Sequence, residues 1–226
     1  LLRMRLVGVD SFSNSLTQHF TGFDINGTNM GKNIIGWVKG TLYPDKYIVI
    51  SAHYDHLGKA SNGTTFYGAD DNASSVACLL ALAKYFKLNP HSYSLIFAVL
   101  DREETGLEGA YNFIHLITKT INITDIKFNL NMDMIARSDN NEIFACGIKH
   151  YPSFKYAVDE IQYKTSVNLL MGHDDGSPRN DWTYQSDHSA FHQKNIPFIY
   201  IGVEDHADYH AITDTYDKIN FKSYIE

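Results

Sequence analysis

Short runs of consecutive apolar residues alternate along this chain with stretches in which apolar residues recur every three or four positions. The runs NIIGWVKG (33–40) and KYIVISAHY (46–54) predict strands, joined by the turn signal Tyr43-Pro44-Asp45. YSLIFAVLD (93–101) is apolar nearly throughout, as expected of a central strand covered on both faces. IKFNLNMDMIA (126–136), NEIFACGI (141–148) and IPFIYIGV (196–203) predict three more strands. Between them, Val76, Leu79, Leu80, Ala83 and Phe86 share one helical face within 71–88, and Pro90 follows closely. Leu107, Ala110, Ile114 and Ile117 predict a helix over 107–119, residues 153–165 another, and the stretch from Thr215 a last one. GHDDGSPRNDWTYQSDH (172–188) is polar and long for a connection, and loops of that length often carry function.

This alternation predicts an α/β fold, a three-layer sandwich around a mixed, mainly parallel central sheet. No repeat, low-complexity linker or shift in composition divides the chain, so residues 1–226 are expected to form a single domain. Of the 226 residues, 44% are hydrophobic and 20% charged, an ordinary globular balance. The net charge of −7 leaves no broad basic field, which argues against a nucleic-acid or anionic-membrane partner. No apolar run approaches the roughly 20 residues of a membrane span. The opening LLRMRLVGVD has neither a signal-peptide pattern nor an initiator Met and reads as the cut edge of a longer chain. Cys78 and Cys146 form no framework and are expected as two buried thiols or one optional bridge. Asn-x-Ser/Thr tripeptides occur at Asn26, Asn62, Asn72 and Asn122; such tripeptides are common by chance.

The polar residues are less evenly spread than the apolar ones. HYDHLG closes the strand ending near residue 52, DREETG the strand ending near 100, MDM the strand ending near 132, and EDHADYHAITDT the strand ending near 203. YGADDNASS opens the helix over 71–88. Open α/β sheets bind ligands at the carboxyl ends of their strands. His53 alone, or Asp70-Asp71 alone at a helix start, would call for nothing special. Asp133 in an apolar strand is harder to dismiss, because a buried carboxylate needs donors or a cation. Gathered at one edge, imidazoles and carboxylates suit zinc and similar divalent ions, while the lack of clustered cysteines argues against a closed structural zinc site.

The strings AHYDHLG, YGADDNAS, REETGLEGA, NMDMI, SDHSAF and DYHAITDTYDKI, in that order from about Gly36 to Ile219, resemble the co-catalytic zinc aminopeptidases, the M28-type exopeptidases. The resemblance implies two Zn²⁺ per chain. His53 and Asp133 would bind one, Glu104 and His210 the other, and Asp70 would bridge them. It implies Glu103 as the catalytic base for a zinc-activated water, and Asp55 as an active-site residue placed to fix His53. Tyr209 and Tyr184 are candidate substrate-binding phenols, and Ser186, Asp187 and His188 match a further motif read as support. Neighbouring residues of an extended segment point to opposite sides, so Glu104 would face metal and Glu103 substrate. The implied reaction is hydrolysis of the N-terminal peptide bond of peptides with a free N-terminus, in a secreted or periplasmic protein. Three alternatives share the scaffold: a glutaminyl cyclase-like acyltransferase, a carboxypeptidase or small-molecule amidohydrolase, and a non-catalytic binding module.

Overall fold

The computed structural model describes residues 2–12, 14–24 and 27–225, so the tripeptide at Asn26 and the chain's first residue lie outside the described residues. Nine strands form one mixed sheet: β1 (Asp10–Ser11), β2 (Thr17–Asp24), β3 (Gly27–Val38), β4 (Tyr43–His53), β5 (Tyr93–Leu100), β6 (Ile126–Met132), β7 (Glu142–Cys146), β8 (Asn168–Met171) and β9 (Phe198–Gly202). At the centre, β5, β4, β6 and β9 run parallel, in that spatial order. β3 is antiparallel to β5 on one side and β7 is antiparallel to β9 on the other. β8 runs parallel to β7, while β1 and β2 both pair antiparallel with β3. The six helices are α1 (Leu2–Val7), α2 (Ser75–Leu88), α3 (Glu108–Ile117), α4 (Lys155–Gln162), α5 (His188–His192) and α6 (Phe221–Tyr224).

The period-2 geometry of β5 divides its side chains between two cores. Leu95, Phe97 and Val99 join Ile50, Ala52, Leu79 and Ala83 on the face covered by α2. Ile96, Ala98 and Leu100 join Val49, Phe113, Ile114 and Phe191 on the face covered by α3 and α5. Both faces are buried, which is why β5 reads as a continuous apolar run, and the three-layer expectation holds. Residues 216–218 form a 3-10 turn and α6 is only four residues long, so the predicted C-terminal helix is two short pieces. β1, β2, β8, α1 and α5 were not foreseen. Cys78 and Cys146 are both free thiols. Among the described residues no helix is long and apolar enough to cross a membrane.

Two features position the site. The chain leaves β4 toward the α2 face and β5 toward the α3 face, so the carboxyl ends of these adjacent strands flank a crevice. The core between β4 and β6 is also threaded by a buried polar line. Asn129 Nδ2 donates to Ser51 Oγ (2.9 Å), Ser51 Oγ to Asn131 Oδ1 (2.6 Å), and Asn131 Nδ2 to Ser186 Oγ (3.0 Å). Ser186 Oγ then donates to Asp133 Oδ2 at 2.7 Å. Each amide and hydroxyl satisfies the next, which makes polar residues tolerable at fully buried strand positions.

Candidate metal centre

β4 ends on His53, whose side chain is 1% exposed. Its Nε2 lies 3.1 Å from Asp133 Oδ1 and 3.4 Å from Asp71 Oδ1. Asp133 follows the end of β6 directly, and its other oxygen is occupied by Ser186. Across the crevice, His210 Nε2 lies 3.2 Å from Asp71 Oδ2 and 3.2 Å from Glu104 Oε2. Asp71 therefore presents one oxygen to each side.

Asp70, the expected bridge, is placed differently. Gly68 sits in the left-handed region at φ +63°, where a Cβ would come within 2.4 Å of the Asp71 carbonyl. The tight turn Ala69–Ser74 that follows sends successive side chains in different directions. Asp70 points back into the protein: its carboxylate accepts from Ala136 N (2.7 Å), Ser74 Oγ (3.0 Å) and His206 Nε2 (3.2 Å). Asp71, not Asp70, faces His53 and His210. Asn72 is consumed as well: its side chain donates to Met132 O and accepts from Met134 N, and the residue is 2% exposed, so its tripeptide is no modification site.

Glu103 and Glu104 do diverge, but not as neighbours on a strand. β5 has ended at Leu100, Arg102 takes φ +61°, and Glu103 O accepts from both Gly106 N and Leu107 N, so the pair sits in a tight turn. His53, Glu103 and Asp133 offer donor atoms within 4.8 Å of one another, and so do His56, Asp71 and Glu104. Asp55 ties the two loops together: Oδ1 accepts from Glu103 N (3.0 Å) and Oδ2 from Glu104 N (3.3 Å), while His53 Nδ1 lies 3.6 Å from Oδ1. Asp55 thus orients its neighbours and does not line the central cavity, which Asp71, Glu103, Trp182, Tyr200, Asp205 and Tyr209 help to line.

Tyr209 stacks on His210 with ring centroids 3.9 Å apart, at the cavity wall as expected. Tyr184 is not brought there. It is 59% exposed and lies against His192, while the aromatic of this loop that lines the cavity is Trp182, two residues earlier. Trp182 stacks flat on His173 at 3.6 Å, with Phe144 and Tyr200 packed against its edges. His56, also unassigned from the sequence, has Nδ1 2.9 Å from Glu104 Oε1, which accepts. Its signal was its place in HYDHLG, three residues beyond His53.

The electrostatics of the cluster point one way. Burial pushes Glu103 up to about 10, against the pull of His53 and with Asp133, Asp187 and Glu104 adding to the shift. Burial, then Asp133, pushes Asp71 up to about 8. Burial opposes a charged His53, but Asp133 and Asp55 outweigh it and hold the imidazole well above its ordinary value. Asp187 is fully buried, has no hydrogen-bond partner for either oxygen among the described residues and is pushed up to about 7 by burial. Carboxylates crowded this closely call for positive charge. Imidazoles and carboxylates without thiolates are a donor set that fits zinc.

Fold and donor set together define an α/β domain with a carboxylate–imidazole metal centre at its strand ends. The model of peptidase family M28 matches residues 33–226, and the chain belongs to that family. Aminopeptidase YwaD of Bacillus subtilis (strain 168) is 29% identical over 173 residues, which cover 73% of this chain and 34% of YwaD. This chain therefore spans about a third of that relative's length. A leucine aminopeptidase precursor from Bacteroides thetaiotaomicron is similar in structure with a TM-score of 0.76 at 20% identity, over 98% of this chain and 81% of that one. An Acidobacteriales bacterium glutaminyl cyclase is similar with a TM-score of 0.74 at 22% identity, over 92% and 73% of the two chains. At those identities the two structures bear on the fold alone.

Proposed function

We propose that this chain is the catalytic domain of a zinc-dependent aminopeptidase that holds two metal ions and removes the N-terminal residue of peptides. The observation that carries the reading is Asp71, one buried carboxylate with an oxygen toward each of two donor sets. His53 and Asp133 would hold one ion, Glu104 and His210 the other, with Asp71 between. Bound zinc would bring the pKa of a water toward neutrality and polarise the scissile carbonyl.

The remaining work belongs to the chain itself. Asp55 fixes His53 and the Glu103–Glu104 backbone, so that the ligands and the base keep their spacing. Glu103, as the carboxylate, accepts the proton of the attacking water and delivers it to the leaving amine from its place at the cavity wall. Tyr209 stands at the cavity wall, where its hydroxyl can donate to the substrate carbonyl oxygen. The surplus of carboxylates favours a free α-ammonium over a blocked terminus. YwaD is by name an aminopeptidase, which supports the same choice.

The test compares a free-amine peptide with its N-acetylated twin, beside a glutaminyl peptide. Turnover confined to the free amine, with release of the first residue, supports the proposal. Equal rates on both twins would replace it with an endopeptidase or deacylase. Ring closure of the glutaminyl peptide would favour the cyclase reading that the shared fold also allows.

A further inference from the structure

Asp214 is a fully buried carboxylate outside both donor sets. Its Oδ1 and Oδ2 accept from Asp70 N at 3.0 and 3.1 Å, and Oδ2 also accepts from Asp71 N at 3.1 Å. Its backbone carbonyl accepts from Ala69 N at 3.3 Å. Its own N–H donates to Ala211 O at 3.2 Å, closing the short turn that follows His210. Among the described residues no cationic side chain forms an ion pair with it. A buried carboxylate held only by backbone N–H groups is costly in an ordinary core. Here two consecutive N–H groups converge on it. An asparagine could accept both only with its oxygen in the place of Oδ2, and its NH₂ would then face Asp70 N in the place of Oδ1.

We propose that Asp214 is the positioning residue for the metal held by Glu104 and His210: it sets the peptide that throws Asp71 forward and Asp70 back, and anchors the turn carrying His210. The inference rests on the two-metal reading above. One side chain thereby couples two ligands that are about 140 residues apart in sequence. The other ion, held by His53 and Asp133, depends on Asp214 only through the shared Asp71.

The experiment titrates metal-depleted protein with Zn²⁺ by calorimetry, with stoichiometry checked by elemental analysis and melting followed in parallel. Wild type should take up two ions. Asp214→Asn, nearly isosteric, should bind the ion held by Glu104 and His210 about 10–100-fold more weakly, the usual scale for losing a residue that orients a ligand, and the other ion, reached only through Asp71, by clearly less. Adding Glu104→Ala to it should weaken the same ion further, because both changes act on it. Tyr224→Phe is the control for mere loosening. It removes the hydrogen bond to Ser74 O (2.7 Å) at the far end of the same turn, and should lower the melting temperature while leaving both affinities intact. Should Asp214→Asn be insoluble, Asp214→Ser, which leaves room for water to meet both N–H groups, should show the same selective loss. Equal weakening of both ions, or two ions at wild-type affinity, overturns the proposal. A wild type that never takes up two ions overturns the two-metal reading itself, and this inference with it.

Discussion

Stripping the metals should give this protein an inverted pH dependence. In the metal-free fold, Asp71 is pushed up to about 8 and Glu103 to about 10, from ordinary values of 3.8 and 4.5. A carboxylate whose folded pKa is raised binds a proton that the unfolded chain has already lost. Its contribution is complete below the unfolded pKa and disappears as pH climbs through the folded one. Between pH 6.5 and 7.5 the folded cluster therefore holds about two protons more than the unfolded chain. Each extra proton makes stability fall as pH rises, and the pair together gives about 3 kcal/mol per pH unit. His53, raised in the fold, adds in the same direction, and His188, pushed down to about 4 by burial, opposes mostly below its ordinary value near 6.5. With an unfolding entropy of about 2.1 cal/mol/K per residue, about 3 kcal/mol corresponds to a melting temperature lower by about 6 °C per pH unit. Zinc displaces those protons, so the loaded protein should lose this slope and the gap between the two forms should widen as pH rises. Scanning fluorimetry of chelated and zinc-restored samples at pH 6.5, 7.0 and 7.5, with metal loss verified, reads this directly. A chelated protein whose melting temperature holds or rises across that window, or parallels the loaded form, would refute the reasoning.

Three further outcomes are expected. Glu103→Gln should keep its metals and substrate binding but lose roughly 10²–10⁴-fold in kcat, whereas Glu104→Ala should bind one ion weakly and recover partly with excess zinc; elemental analysis and turnover across a zinc titration separate the two. Asp71→Asn should weaken both ions, while Asp70→Asn should chiefly lower the melting temperature, since its carboxylate is spent on Ala136, Ser74 and His206; the reverse pattern would restore Asp70 as the bridge. Phe113→Ala, at a fully buried position beneath the sheet, should cost about 3–5 kcal/mol by chemical denaturation and leave the metal stoichiometry unchanged.

The central strands were legible because burial on both faces leaves β4, β5 and β9 with uninterrupted apolar runs. The flanking elements gave weaker signals. β2 (TQHFTGFD) lies outside the parallel core with few apolar residues, and β8 is a four-residue strand whose register depends on β7. At the site, the sequence could gather the right loops but not choose between adjacent aspartates. That choice is made by the left-handed Gly68 and the turn after it, and a one-residue error in a tight turn reverses a side chain. The two glutamates were assigned opposite directions for a reason that does not apply, since the turn at Arg102 separates them rather than strand alternation. Tyr184 failed because the fold of the 172–188 loop decides which aromatic reaches the cavity, and the flat stack on His173 commits Trp182 to it.

The proposed donors come from five separate strand ends or turns, at positions 53, 71, 104, 133 and 210. This scatter has a consequence for how the chain acquires its shape. In a zinc finger, ligands lie close in sequence and the ion itself can organise an otherwise unfolded peptide. Here His53 and His210 are separated by about 160 residues, and their approach requires β4, β6 and β9 to be paired in register first. Closing a loop of that size around an ion, with no sheet to hold the ends, sacrifices chain entropy that few donors can repay. The ion is therefore a late arrival, received by a framework already built, and its absence during synthesis should delay activity rather than folding.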